Sequence, residues 1–179
     1  WVSTSPAKTG LYGCMCFISL ELPFPAADGS SLFLRPDQLN TVICEPRVLA
    51  VAIETDSFSM LVIVLHCPVR DTPEEELEDF HTFVSLKVAS VLKKNQKLLF
   101  LMDTNTRVHS YDDEDILHAR HLHDMCEDFG IQLNIANEPL PTFELQNGEF
   151  VQLDYVATSA GLQANVESQK VFAFPQFAK

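Results

Sequence analysis

Leu98-Leu99-Phe100-Leu101-Met102 runs directly into Asp103-Thr104-Asn105. Five apolar residues bounded by polar ones on both sides are too few for a helix and fit a strand covered on both faces. Such a strand is a rigid platform. In layered α/β folds the carboxyl ends of these strands open into the ligand crevice, and an Asp two residues from an Asn can divide the labour of one site. The carboxylate orients or deprotonates water and the amide holds an anionic oxygen. Asp and Asn also open turns and cap helices at such places, so the pair by itself leaves both roles open.

Upstream, Leu77, Phe80, Val84, Val88, Val91 and Leu92 recur at helical spacing and predict an amphipathic helix over residues 73–94 that leads into this strand. Thr72 and Pro73 read as its N-cap and first residue, and Glu74, Glu75, Glu76, Glu78 and Asp79 follow where carboxylates suit the helix dipole. Strands are predicted at 12–20, 47–54 and 58–66, with a short one near 41–44; Thr55, Asp56 and Ser57 turn the chain between the second and third. Downstream, Asp112, Asp113, Glu114 and Asp115 precede a second helical stripe of Leu122, Met125, Cys126 and Phe129, which Gly130 closes as a C′ glycine. Both acidic runs read as solvated helix starts rather than metal cages. A strand follows at 131–135. Segments 142–145 and 150–158 flank Gln146-Asn147-Gly148, and Asn-Gly tolerates the positive φ of a hairpin turn. Hairpins at both ends and helix-flanked strands between them predict mixed sheets, stacked as a two-sheet α/β sandwich with outer helices.

A chain of 179 residues suits one domain able to bury about 70% of its unfolded surface. Without repeats, low-complexity tracts or a linker, residues 1–179 read as one unit. The five Cys residues form no C-x-x-C pair, and Cys14 and Cys16 share one strand face, as small core residues do. This usage points to a reducing, intracellular compartment, cytoplasmic or nuclear. No stretch approaches the apolar length that crosses a bilayer, and Trp1 begins no signal pattern. The net charge of −13 argues against a nucleic-acid binder with a broad basic face. There is no Gly-rich phosphate loop and no nucleophile-elbow serine, so no organic cofactor is expected.

Other polar residues fall at strand ends. His66 emerges where Met60-Leu61-Val62-Ile63-Val64-Leu65 stops; it either contacts a phosphate or closes the strand with a backbone hydrogen bond. In Val151-Gln152-Leu153-Asp154-Tyr155-Val156, alternation puts Gln152 and Asp154 on one face. Asp154 then either orients a catalytic His or faces water, since a buried carboxylate needs a partner. His118 and His121 share a helical face while His123 points elsewhere, which reads as solvated or half-buried histidines rather than a metal site.

Taken in order, these segments resemble the endonuclease/exonuclease/phosphatase (DNase-I-like) superfamily. His66-Cys67-Pro68 before a long helix is similar to its Y/H-A-P segment, and Leu99-Phe100-Leu101-Met102-Asp103-Thr104-Asn105 to its GDFN motif, with Met102 where glycine is usual. Pro141-Thr142-Phe143 resembles the T-W/F segment and Gln152-Leu153-Asp154-Tyr155-Val156 the Q-I-D-Y-I strand. The H-C-P segment leading into an acidic helix, the QLDYV strand, and the approach through Gly10-Leu11-Tyr12-Gly13-Cys14 and Glu45-Pro46-Arg47 are most similar to endonuclease domains of non-LTR retroelements.

The resemblance implies a four-layer sandwich of two mixed sheets flanked by helices, and Mg²⁺-assisted hydrolysis of a DNA phosphodiester by water. Carried across by position, Asp103 would activate the water, Asn105 would bind a non-bridging oxygen, Asp154 would hold a His in its working tautomer and His66 would stabilise transition-state charge. Asn105 and Thr142 are the implied substrate-binding residues. The family's opening Asn and its metal-binding Glu would both precede the segment matching residues 10–20, and its S-D-H histidine would follow Asp154, where this sequence has no His. No metal ligand is therefore assigned. The opening on Trp1 reads as a piece of a longer polypeptide, incomplete at both ends and inactive alone. Two alternatives stand beside the nuclease. One is a same-fold enzyme acting on a lipid, inositol or RNA phosphoester; the other is a decayed domain retained as a binding surface.

Overall fold

The computed structural model describes residues 1–5, 13–25, 31–108, 113–133, 141–144 and 147–163. In chain order the elements are β1 (Val2–Thr4), β2 (Met15–Phe17), β3 (Phe24–Pro25), β4 (Ser31–Leu32), β5 (Leu39–Glu45), β6 (Val48–Glu54), β7 (Ser59–His66), α1 (Glu74–Val91), β8 (Lys97–Asp103), α2 (Asp113–Phe129), β9 (Ile131–Leu133), β10 (Phe143–Glu144), β11 (Phe150–Val151), β12 (Asp154–Ser159) and α3 (Ala160–Gln163). Six of the strands form one mixed sheet in the order β5-β6-β7-β8-β12-β9. β7 and β8 are its parallel pair and the other neighbours run antiparallel. A parallel pair cannot be closed by a tight turn, and α1 is the crossover that joins it.

The predicted strand at residues 98–102 is β8, and its side chains alternate between two cores. Leu98, Phe100 and Met102 pack in a cluster with Val84 and Val88 of α1 and Leu122 of α2. Leu99 and Leu101 join the opposite cluster, which includes Cys16, Leu49 and Val51. Successive strand residues point to opposite faces, so a strand apolar at every position has to be covered twice. The second cover comes from the β1–β2 ladder, whose Cys14–Cys16 side contributes two buried thiols. The described residues thus supply three layers: helices, the six-stranded mixed sheet and a β-layer. Two further short ladders, β3–β4 and β10–β11, lie outside the large sheet. No helix among the described residues is long and apolar enough to cross a membrane.

Several element ends depart from the sequence expectation. α1 is N-capped by Pro73 rather than Thr72, without a side-chain cap bond, and Glu74, Glu75 and Glu76 occupy its first turn. It stops at Val91 because Leu92 adopts extended backbone, leaving Lys93 and Lys94 outside. The short strand expected near 41–44 lengthens to β5, since pairing with β6 continues on both sides of a bulge between Thr41 and Ile43. The strand expected over 12–20 shortens to β2, and its residue 12 lies outside the described residues.

The strand expected at 150–158 divides. β11 pairs with β10, while β12 pairs with β8 and β9. Between them the Leu153 carbonyl accepts the Thr104 N–H at 2.8 Å. The predicted alternation fails at this break: Gln152 is buried and Asp154 exposed. The hairpin itself is present, with Gly148 at φ +82° and the Glu149 N–H on Asn147 Oδ1. Gly130 ends α2 at φ +59°, as its C′ position requires. Asp112, Asn134, Ile135, Leu145 and Gln146 lie outside the described residues.

Phe100 is fully buried at the middle of β8 between the helices and the sheet. Phe100→Ala is expected to cost about 3–5 kcal/mol of folding stability, because the void cannot collapse between two packed layers. Urea denaturation measures it, and a loss below about 1 kcal/mol would contradict this placement of the core.

Candidate active site at the ends of three central strands

β7, β8 and β12 are successive neighbours, and their registers align at one end. His66 pairs with Asp103 across β7–β8, and Asp103 pairs with Asp154 across β8–β12. Directly paired residues share a face of the sheet, so three residues far apart in sequence form one row. His66 Nε2 stands 3.8 Å from Asp103 Oδ2, with the two side chains 28% and 43% exposed. They are open to a ligand yet partly desolvated. Burial pushes the Asp103 carboxyl above the usual carboxylate range and the neighbouring Asp154 charge adds to it, while His66 and the Asn105 backbone N–H pull it back.

The loop leaving β8 is held from three sides. Asp103 Oδ1 accepts the Asn105 N–H at 3.2 Å, and Asn105 sits at φ +51°, a left-handed conformation that Asn tolerates better than most residues. Asn105 Nδ2 donates to the Cys67 carbonyl at 2.8 Å, and the Cys67 N–H donates to the Asp103 carbonyl at 2.8 Å. The residue after His66 is thereby tied to both Asp103 and Asn105. On the other side, the buried Thr104 donates its N–H and its hydroxyl to Leu153 O, each at 2.8 Å.

Thr142, implied as a substrate-binding residue, stands beside the row as a brace. Its Oγ1 accepts the Leu153 and Asp154 N–H groups at 2.9 and 3.1 Å. The structure therefore brings together His66, Asp103, Asn105, Asp154 and the Thr142 hydroxyl.

Arg47 is a neighbour the sequence reading missed as a site residue. It was expected to begin a strand, but lies in the β5–β6 turn at φ +67°. Its Nη1 donates to the His66 and Cys67 carbonyls at 3.2 and 2.9 Å, and its own carbonyl accepts the His66 N–H at 2.9 Å. No local pattern marks this reach, because it exists only once β6 lies against β7.

Two expectations about α2 are corrected. Asp115 is 1% exposed rather than solvated, and accepts the Thr106 hydroxyl at 2.8 Å and Arg107 Nε and Nη2 at 2.9 Å each. It anchors the loop beyond Asn105 to the start of the helix, and its burial is tolerated because it is paired and hydrogen-bonded. His118 is 3% exposed rather than half-buried, on the α2 face that packs inward, whereas His123 is exposed. Among the described residues, no three His, Cys, Asp or Glu side chains converge as a metal cage.

At the level of sequence, no family model matches the chain and no curated protein matches it. Solved structures do match. The endonuclease domain of TRAS1, a telomere-specific non-LTR retrotransposon, is similar over 92% of this chain and 68% of its own, with a TM-score of 0.59 at 16% identity. The 3′ phosphatase NExo from Neisseria, bound to product DNA hairpin, is similar over 67% of this chain and 55% of its own (TM-score 0.51, 17% identity). The 3′-5′ exonuclease from Neisseria meningitidis covers 68% and 56% respectively (TM-score 0.50, 16% identity). The chain has the mixed α/β, DNase-I-like fold that these structures share.

Asn105 contributes both a backbone conformation and an amide, and the two separate on substitution. Asn105→Gly keeps the left-handed backbone accessible, so it is expected to retain about 1 kcal/mol more stability than Asn105→Ala in chemical denaturation. Equal losses would mean that the positive φ places no demand on this position.

Proposed function

We propose that the chain forms the core of a phosphodiester hydrolase that nicks DNA, in the manner of a retroelement endonuclease. The observation that carries this reading is the row of His66, Asp103 and Asp154 with Asn105 locked beside it. Phosphate ester hydrolysis asks a protein for positioned water and for neutralisation of developing charge more than for a nucleophilic side chain. A carboxylate held above its usual range is a better proton acceptor at neutral pH than an ordinary one. Asp103 is that base, and Asp154 makes it stronger by its negative charge. His66 lies on the opposite side of Asp103 from Asp154, where an imidazole N–H is suited to a phosphoryl oxygen. Asn105 presents its amide from a loop that two main-chain anchors hold still.

Two carboxylates paired across adjacent strands repel each other, and a hard cation relieves that repulsion. Mg²⁺ is bound by one or two carboxylates, keeping several waters and taking further oxygens from a substrate phosphate. Asp154, exposed beside Asp103, fits this demand and is the residue that would hold it together with water and substrate oxygens, leaving Asp103 to take the proton. The ion would supply Lewis-acid polarisation of the phosphate. It also suits an acidic protein that has to approach a polyanion. Support for DNA as the substrate comes from fold likeness to proteins described as an endonuclease domain and as a phosphatase bound to a DNA hairpin.

The test is nicking of supercoiled plasmid by the full-length protein in Mg²⁺. Asp103→Asn is expected to lower the rate by about a hundredfold or more, as loss of a general base does, and chelation to abolish it. Nicking by a folded Asp103→Asn protein at the wild-type rate would overturn the proposal. The rate should rise with pH as Asp103 loses its proton. In the metal-free protein Asp154→Asn removes the like charge that holds the Asp103 carboxyl up, so titration of Asp103 followed by NMR without Mg²⁺ should move to lower pH.

A further inference from the structure

Behind the site, on the helix side of the sheet, lies a second polar group that the hydrolytic reading does not use. His81 of α1 is 7% exposed and its ring stacks on His121 of α2, with centroids 5.3 Å apart and planes 12° from parallel. His81 Nδ1, His118 Nε2 and His121 Nε2 are all buried without a hydrogen-bond partner. A small pocket lined by Cys67, His81, Thr104, Thr106, His118 and Leu122 joins this group to the site, because Cys67 follows His66 and Thr104 lies between Asp103 and Asn105.

We propose that His81, His118 and His121 form an acid-sensitive joint between α1 and α2, which loosens the seat of the Asp103–Asn105 loop when it takes up protons. A neutral imidazole carries one donor and one acceptor, whereas a protonated one carries two donors and a charge. In this packing the added proton and its charge enter a group of imidazoles, His81 stacked on His121, in which His81 and His118 are withdrawn from water. The charged groups that face the cluster are few. From the start of α2 comes Asp115, already engaged by Thr106 and Arg107. From the segment after β7 comes Arg70, whose main chain hydrogen-bonds His118 and whose positive charge opposes a second one there. The Cys67 thiol, pushed up to about 12, stays neutral. On the surface, Glu74 of α1 pairs with Arg120 of α2 at 3.5 Å.

Burial pushes His81 down to about 4, with His121 and His118 adding to the shift, and burial also lowers His118. The unfolded chain protonates near 6.5 and the folded one only well below that, so the folded state is favoured fully above about pH 6.5. That advantage drains away as pH falls towards 4. From His81 alone the folded-to-unfolded ratio should drop by roughly a hundredfold across this window.

The significance of the joint for catalysis rests on the phosphodiesterase reading, but its test reads no hydrolysis. Thermal denaturation of the wild-type protein between pH 7 and pH 4 should show a fall that His81→Phe, which keeps a stacking ring and removes the titrating nitrogen, makes shallower. Parallel curves for the two proteins would overturn the proposal. If His81→Phe does not fold, the ring resonances of wild-type His81 decide: a titration near 6.5 overturns the proposal and one near 4 supports it. Amide protection factors, which remove the intrinsic slowing of exchange in acid, should fall at Thr104 and Asn105 over the same pH range as in α2, and a loop that stays protected while the helices loosen would break the link to the site. A protein that fails to nick DNA but passes these measurements would refute only the hydrolytic reading.

Discussion

The hydrogen-bonded register of β7 on β8, and of β8 on β12, sets where every polar group of the site stands. Registers of this kind are specified by burial, because a slip of one residue turns each side chain to the wrong face. β8 is pinned on both of its faces, with Phe100 and Met102 against the helices and Leu99 and Leu101 against the opposite core. The same pinning leaves Asp103 at the strand end, level with His66 and Asp154. The accuracy of the polar row is thus inherited from the packing of apolar residues several positions away.

Around that row the chain holds arrangements that are locally unfavourable. Two carboxylates are neighbours, and Arg47 and Asn105 both take positive φ without being glycine. Such features persist when surrounding contacts over-determine them, and they gather at functional sites. Here the determinants converge on one main-chain group. The Cys67 carbonyl accepts both Arg47 Nη1 and Asn105 Nδ2, while the Cys67 N–H holds the Asp103 carbonyl. A single peptide next to His66 therefore couples the turn carrying Arg47 to the loop carrying Asn105.

The helix layer has its own division of labour. Acidic residues in the first turn of α1 suit the helix dipole, whereas Asp115 in the first turn of α2 is drawn inward to meet Arg107 and Thr106. Composition does not distinguish these two runs. What separates them is whether cationic and hydroxyl groups from another segment arrive at the same place, and for Asp115 the loop after Asn105 delivers them.

Local pattern was enough for the β8 strand, for the apolar stripes of α1 and α2, for the Asn147-Gly148 turn and for Gly130 as a helix stop, because each is written in contiguous residues whose spacing or φ demand has one reading. The ordered short motifs were legible for the same reason, and they pointed to the DNase-I-like fold. Other features had no local trace. The division of the segment at 150–158, the reach of Arg47 to two carbonyls, and the burial of Asp115 and His118 depend on partners in other segments, eight or nine residues away for Asp115 and nineteen or twenty for Arg47. Sequence by itself determined the central strands, the two long helices and the polar residues that end them; tertiary structure decided which of those residues meet. The physical reason is that periodicity encodes the face a side chain occupies, whereas the neighbour it finds there is set by long-range strand pairing and helix packing.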